Sequence, residues 1–264
     1  MNCIKKAGVL GAGVMGATIA AHLANAGLDV ILLDIVPREL TAEEKNKGLT
    51  LDSPQVRNRI AQNSLNGLQK MSPAPFLLQE YAQRIEVGNF EDHAHLLQEC
   101  EWVIEVVVEN MGIKKKLFSE TVAPNMKDGA VLSTNTSGLS VNEMATALPP
   151  QVRKNFMVTH FFNPPRYMRL MEVVGCNESD PDQVRFMAEF ITKRLGKGVV
   201  MAKDTPNFIG NRIGVYAIFK SIQHMMDMGM SVEEVDAVAG KATARPKSAA
   251  FRTADLVGID TLVH

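Results

Sequence analysis

Eight short runs of β-branched and other apolar residues punctuate the first three quarters of the chain: 4–10, 29–34, 84–88, 102–108, 130–135, 156–162, 171–174 and 198–201. Between most of them, apolar residues recur at helical spacing instead. This alternation predicts strands interleaved with helices, and hence a mostly parallel sheet covered on both faces. A long, mainly helical insertion, about 41–83, separates the second and third strands. Within it Ser53-Pro54 reads as N-cap and first helical position, Lys70 falls near that helix's end, and Gly48 and the stretch 71–75 are breaks. Past Lys203 the strand pattern stops. Thr205-Pro206 opens a helix carrying Phe208, Ile209, Ile213, Tyr216, Phe219, Ile222 and Met226, which Gly229 ends, and Ser231 with Glu234 forms a capping box for the next. The chain therefore divides into an α/β domain, 1–203, and a smaller all-helical domain, 204–264. The last segment, from Lys241, has mixed polarity and no evident helix end.

Gly11-Ala-Gly13-Val-Met-Gly16 directly follows the first strand and opens a helix marked by Ile19, Leu23 and Ala26. In that setting Gly11 permits a tight turn, Gly13 lets a pyrophosphate approach the backbone, and Gly16 lets helix and strand pack closely. Asp34 closes the second strand, where a carboxylate can accept both hydroxyls of an adenosine ribose and would repel a 2′-phosphate. The combination predicts a Rossmann-type dinucleotide domain that prefers NAD to NADP. The glycines alone do not separate nicotinamide from flavin.

Ligands of such sheets sit outside the carboxyl ends of the strands, so the polar residues there are the candidates for chemistry. The fourth run continues to Glu109-Asn110, and Lys114 follows on a helix. These two are either a surface ion pair or a carboxylate and an ammonium near the nicotinamide. Glu105 interrupts the same run without an evident partner. The fifth run leads to Asn135-Thr-Ser137, both available to a ligand, while Ser140 and Glu143 read as a capping box. The sixth brings His160 to its end. Asn163-Pro164-Pro165 then turns the chain out of the sheet, and Glu172 begins the returning strand. An imidazole beside a carboxylate is either a satisfied core group or a proton-transfer pair. Asn211 lies one turn after Asn207 on the predicted helix.

Composition narrows the classes. With 28 basic and 29 acidic residues and a net charge of −1, nothing draws the whole chain to nucleic acid or an anionic membrane. No uninterrupted apolar stretch approaches the ~20 residues of a membrane span, and the first strand leaves no room for a signal peptide. The cysteines, Cys3, Cys100 and Cys176, are odd in number and lack a CxxC, against both a disulfide framework and a zinc site. No metal is expected, and a cytoplasmic location fits.

The set Gly11-x-Gly13-x-x-Gly16, Asn135-Thr-Ser137, His160-Phe-Phe-Asn163-Pro, Met171-Glu172-Val-Val and Asp204-Thr-Pro-Asn-Phe-Ile-Gly-Asn211-Arg resembles the L-3-hydroxyacyl-CoA dehydrogenases of fatty acid β-oxidation. The resemblance implies NAD-dependent oxidation of the 3-hydroxyl of an acyl-CoA. His160 would be the general base, Glu172 would orient it, and Ser137 and Asn211 would bond substrate oxygen or the histidine. Met15, Glu109, Lys114, Asn135, Ser137 and Asn163 would serve the cofactor side with Gly11, Gly13, Gly16 and Asp34. Lys70 and Arg57 would be the insertion's contacts to coenzyme A. The resemblance further implies a homodimer through the helical domain. The segment from Ala244 to Gly258 is similar to multifunctional β-oxidation proteins, so the chain reads as truncated, with a hydratase region downstream. Two other readings stay open: another β-hydroxyacid dehydrogenase, separable by assay of free hydroxy acids, and a non-catalytic dinucleotide-binding relative, which would bind NADH without turnover.

Overall fold

A computed structural model describes residues 4–244 and 248–257. One sheet of eight strands organises the first unit, residues 1–205: β1 (Lys6–Leu10), β2 (Asp29–Asp34), β3 (Ile85–Asn89), β4 (Trp102–Glu105), β5 (Val131–Thr134), β6 (Phe156–Phe161), β7 (Leu170–Gly175) and β8 (Gly198–Met201). Their order is β3-β2-β1-β4-β5-β6-β7-β8. The first six run parallel, whereas β7 pairs antiparallel to β6 and β8 parallel to β7. Nearly continuous burial along β1, β2, β4, β5 and β6 explains why these strands read as apolar runs rather than as alternating patterns.

The fourth strand is shorter than its apolar run predicts. It stops at Glu105 because Val107 donates its amide to the Glu105 carboxylate at 2.7 Å instead of extending the ladder. Helix α1 (Val14–Asn25) packs on β1 and β2. The insertion holds α2 (Ala42–Asn46), α3 (Pro54–Arg57) and α4 (Arg59–Leu68), so the single helix expected after Ser53-Pro54 is two, broken at Asn58. Pro54 does occupy the first turn, but the Ser53 hydroxyl accepts from Thr50 N at 3.0 Å and caps nothing. Lys70 falls just beyond α4.

The second unit, residues 206–264, is helical where described. Its first helix spans Gly210–Met228, four residues later than the sequence suggests. Asn207 and Phe208 adopt left-handed backbone, φ 61° and 42°, which no helix interior accommodates. Asn207 therefore shares no helix face with Asn211. Left-handed Gly229 ends the helix, and Ser231 and Glu234 make the expected reciprocal capping box. The Asp236 carboxylate then accepts from the amides of Ala250, Phe251 and Arg252, capping the helix Phe251–Val257. Cys3, residues 245–247 and residues 258–264, which carry part of the likeness to multifunctional proteins and the expected truncation, lie outside the described residues.

Candidate active site

The sheet order reverses between β1 and β4, which opens a crevice at their carboxyl ends. A cleft of about 760 Å³ lies there, lined by Gly11, Gly13, Met15, Asp34 and Val107 among others. Gly11 has φ +103°, and a Cβ there would press to 2.7 Å on the Val106 carbonyl oxygen; one on Gly16 would collide with the Gly11 carbonyl. The protein's own packing thus requires both glycines. Gly13 differs, because it is exposed and a Cβ would meet nothing within 4 Å. A side chain there would fill only the approach to the amino end of α1. That helix has no side-chain cap and no acidic residue in its first turn, so its amides and its positive dipole end suit an anion. Asp34 braces the turn, accepting from Ala12 N at 2.5 Å and Ile35 N at 2.6 Å, while still lining the cleft. These features fit the pyrophosphate and adenosine ribose of NAD.

Beside the cleft, the missing partner of Glu105 is Lys114. Both are buried, and Lys114 Nζ donates to Glu105 Oε1 at 2.7 Å. Thr134 Oγ1 donates to the other carboxylate oxygen at 2.6 Å. Burial raises the Glu105 pKa, against the opposing pull of Lys114 and these donors. Lys114 also lies 3.3 Å from Glu109. Of the two readings of Glu109 and Lys114, the surface ion pair does not hold: the lysine is internal, and its main partner is Glu105. Glu109 instead joins two loops, accepting from Thr136 Oγ1 at 2.5 Å and from Ser137 N at 2.9 Å. The Ser137 residue stays exposed, whereas Asn135 is already engaged, its Oδ1 accepting from Phe161 N at 2.8 Å. Ser140 accepts from Glu143 N, but Glu143 reaches Lys115 rather than closing a capping box. Asp204 takes that place, accepting from Ser140 Oγ, Val141 N and both nitrogens of Asn142.

His160 and Glu172 stand directly opposite each other in the β6–β7 ladder. In antiparallel strands, facing residues project to the same side, so register alone brings the two side chains together. Nδ1 lies 2.8 Å from Glu172 Oε2, and both residues are buried, 4% and 0% exposed. Phe162 packs on the imidazole with ring centroids 4.5 Å apart. The imidazole tautomer protonated at Nδ1 donates to Glu172 and has its lone pair on Nε2, which is the tautomer suited to a general base. Asn163 is exposed in the turn beyond.

The insertion treats its two candidates differently. Arg57 is paired with Asp92 at 2.6 and 2.8 Å and with Glu91 at 2.7 Å. Its guanidinium, hydrogen-bonded to Asp92, is the leading cause holding that carboxyl down at about 2. Lys70 is exposed on a second cleft, about 440 Å³, shared with Gly13, Ser64 and Met71. Asn211 belongs to the second unit, as the second residue of its first helix. Among the described residues no cluster of three or more His, Cys, Asp or Glu could hold a metal, and no helix is long and apolar enough to cross a membrane.

Family models described as 3-hydroxyacyl-CoA dehydrogenase, NAD binding domain, and 3-hydroxyacyl-CoA dehydrogenase, C-terminal domain, match residues 6–205 and 208–264. A Bacillus subtilis relative named "probable 3-hydroxyacyl-CoA dehydrogenase" is 52% identical over 99% of this chain, which spans 33% of that relative's length. A relative of the same name from Deinococcus radiodurans is 43% identical, with 99% and 71% covered. The crystal structure of FadB2 from Mycobacterium tuberculosis is 28% identical, with TM-score 0.78 over 99% of this chain and 85% of that one. That of (S)-3-hydroxybutyryl-CoA dehydrogenase from Ralstonia eutropha is 26% identical, with TM-score 0.74 and the same coverage. With both models and these relatives spanning it, the chain belongs to the 3-hydroxyacyl-CoA dehydrogenase family, and its first unit is that family's NAD-binding domain.

Proposed function

We propose that this chain oxidises L-3-hydroxyacyl-CoA to 3-oxoacyl-CoA, with His160 as general base and Glu172 as its orienting partner. The buried 2.8 Å contact between His160 Nδ1 and Glu172 carries the reading. When bound, NAD supplies the acceptor for the hydride leaving C3. Nε2 of His160 takes the proton of the 3-hydroxyl, and Glu172 stabilises the imidazolium that results. The exposed Ser137, on a loop held by Glu109, bonds the reacting oxygen. By resemblance Asn211 is a further substrate contact, and exposed Lys70 meets the coenzyme A phosphates.

Finer readings extend this proposal. A homodimer through the helical unit is supported by Ile213, Tyr216 and Phe219, exposed at near-helical spacing on Gly210–Met228. A hydratase region downstream, and a place in fatty acid β-oxidation, draw on a 34% identical Rickettsia prowazekii relative whose name includes "fatty acid oxidation complex trifunctional enzyme". Two buried free cysteines, Cys100 and Cys176, suit the reducing cytoplasm.

The test is NADH oxidation by the chain with acetoacetyl-CoA, followed by absorbance. Wild type turns over, and His160→Ala loses roughly 10²–10⁴ in kcat while NADH affinity is nearly unchanged. A wild-type rate in the variant, or none in either protein, overturns the proposal.

A further inference from the structure

Lys197 lies beneath the loop that joins the two strands of the proton-transfer pair. It follows left-handed Gly196, the cap of the helix Pro181–Leu195, and is 4% exposed. Its Nζ donates to the carbonyls of Pro165 and Met168, the latter at 2.8 Å, and stands 5.7 Å from the centroid of the Phe161 ring. Next to it, Gly198 N bonds Arg169 O at 2.8 Å. Pro165, Met168 and Arg169 all belong to the connection between β6 and β7, and Phe161 is the residue after His160. The loop's other side is tied to the insertion: Arg166 donates to Ala74 O at 2.6 Å and Phe76 O at 3.0 Å, and Tyr167 Oη to Ala74 O at 3.0 Å.

Placing an ammonium there is costly. Burial pulls the Lys197 pKa down to about 8, with no carboxylate offsetting it. Its titratable neighbour His22, edge-on to Phe161 with centroids 6.4 Å apart, is held at about 4, chiefly by its own burial and then by Lys197. His22 is thus neutral when the ammonium is charged. A lysine that only filled space could be an apolar residue, whereas two hydrogen bonds and a cation–π contact converge on one loop and the strand that feeds it.

We propose that Lys197 is a positioning residue for the reaction, gripping the β6–β7 loop so that His160 and Glu172 keep their register and distance. The inference rests on His160 being the base. Misplacement of reacting groups by about 1 Å can cost ~10²-fold in rate, so a loosened loop should act on turnover rather than on cofactor binding.

The test compares full-length wild type, Lys197→Met and Lys197→Arg in the acetoacetyl-CoA assay, with thermal midpoints recorded alongside. Lys197→Met should lose about tenfold or more in kcat with KM for NADH changed by less than about twofold, and Lys197→Arg, which can still donate to both carbonyls, should recover much of the loss. A folded Lys197→Met with wild-type kcat overturns the proposal, as does equal impairment of kcat and NADH binding. If Lys197→Met fails to fold, Lys197→Gln, which keeps an amide donor, is read by the same criteria. A fully active His160→Ala would instead remove the underlying reading, whereas an impaired His160→Ala beside a normal Lys197→Met removes only this one.

Discussion

Two buried carboxylates, Glu105 at the end of β4 and Glu172 on β7, each face a basic side chain, at 2.7 and 2.8 Å respectively. By distance and burial they are alike, yet only one suits proton transfer. Glu105 is satisfied from every side, by Lys114, Thr134 and Val107 N, and its partner Lys114 has Val107 O and Glu109 within reach as well. An ammonium has no lone pair to offer, so Lys114 cannot accept a proton, and both Glu105 oxygens are already held by donors. An imidazole bound to a carboxylate through one nitrogen carries its basicity on the other. The difference between the structural pair and the proposed proton-transfer pair thus lies in the identity of the base, not in the depth of the acid.

The comparison breaks most readily at the structural pair. Lys114→Met leaves the Glu105 carboxylate buried without its cation and should cost about 3–5 kcal/mol in urea denaturation. Adding Glu105→Gln should return most of that, since the damage comes from an orphaned charge. A loss below about 1 kcal/mol would place Lys114 outside the fold's essential interactions. At the chemical pair the effect moves from stability to rate. Glu172→Gln removes the carboxylate that would hold the tautomer and stabilise the imidazolium, so it should lower kcat by at least about tenfold. Unchanged turnover from pH 6 to 9 would make His160–Glu172 a second structural pair.

Both pairs were only half legible in the sequence. Glu172 could be matched to His160 because a strand, a proline-broken turn and a returning strand bring them into register within twelve residues. Lys114 was visible, but as either a surface charge or a group beside the nicotinamide, each paired with Glu109: helical spacing does not say that its stem runs inward to Glu105. The alternating periods revealed the order of elements, because strands buried on both faces lack polar positions. Boundaries failed where a side chain overruled the pattern. Glu105 ended its strand by taking the Val107 amide, Asn207 and Phe208 delayed a helix by adopting left-handed backbone, and Asp204 took the capping position expected of Glu143. The pairing of Arg57 was not legible because its acidic partners, Glu91 and Asp92, lie 34 and 35 residues away. Lys197 and His22 drew no notice at all, as neither carries a motif.

His22 is a third buried base, without a carboxylate, and it sharpens the comparison at the smallest scale. On α1, neither ring nitrogen has a hydrogen-bond partner of good geometry, and burial is the leading cause lowering its pKa from 6.5 to about 4. Between those values the unfolded chain binds the proton and the folded one does not. Stability is therefore full above pH 6.5 and declines as the solution is acidified toward pH 4, by up to about 1.4 kcal/mol per pH unit. His22→Leu removes the titration, so as pH falls from 7 to 5 the stability difference should shift against the wild type, which loses at most about 2 kcal/mol more than the variant. Parallel declines would mean that His22 takes up its proton without opposing the fold. A steeper decline in the wild type would show that a buried base without a carboxylate is kept neutral at the expense of acid stability, the opposite of the role proposed for His160 beside Glu172.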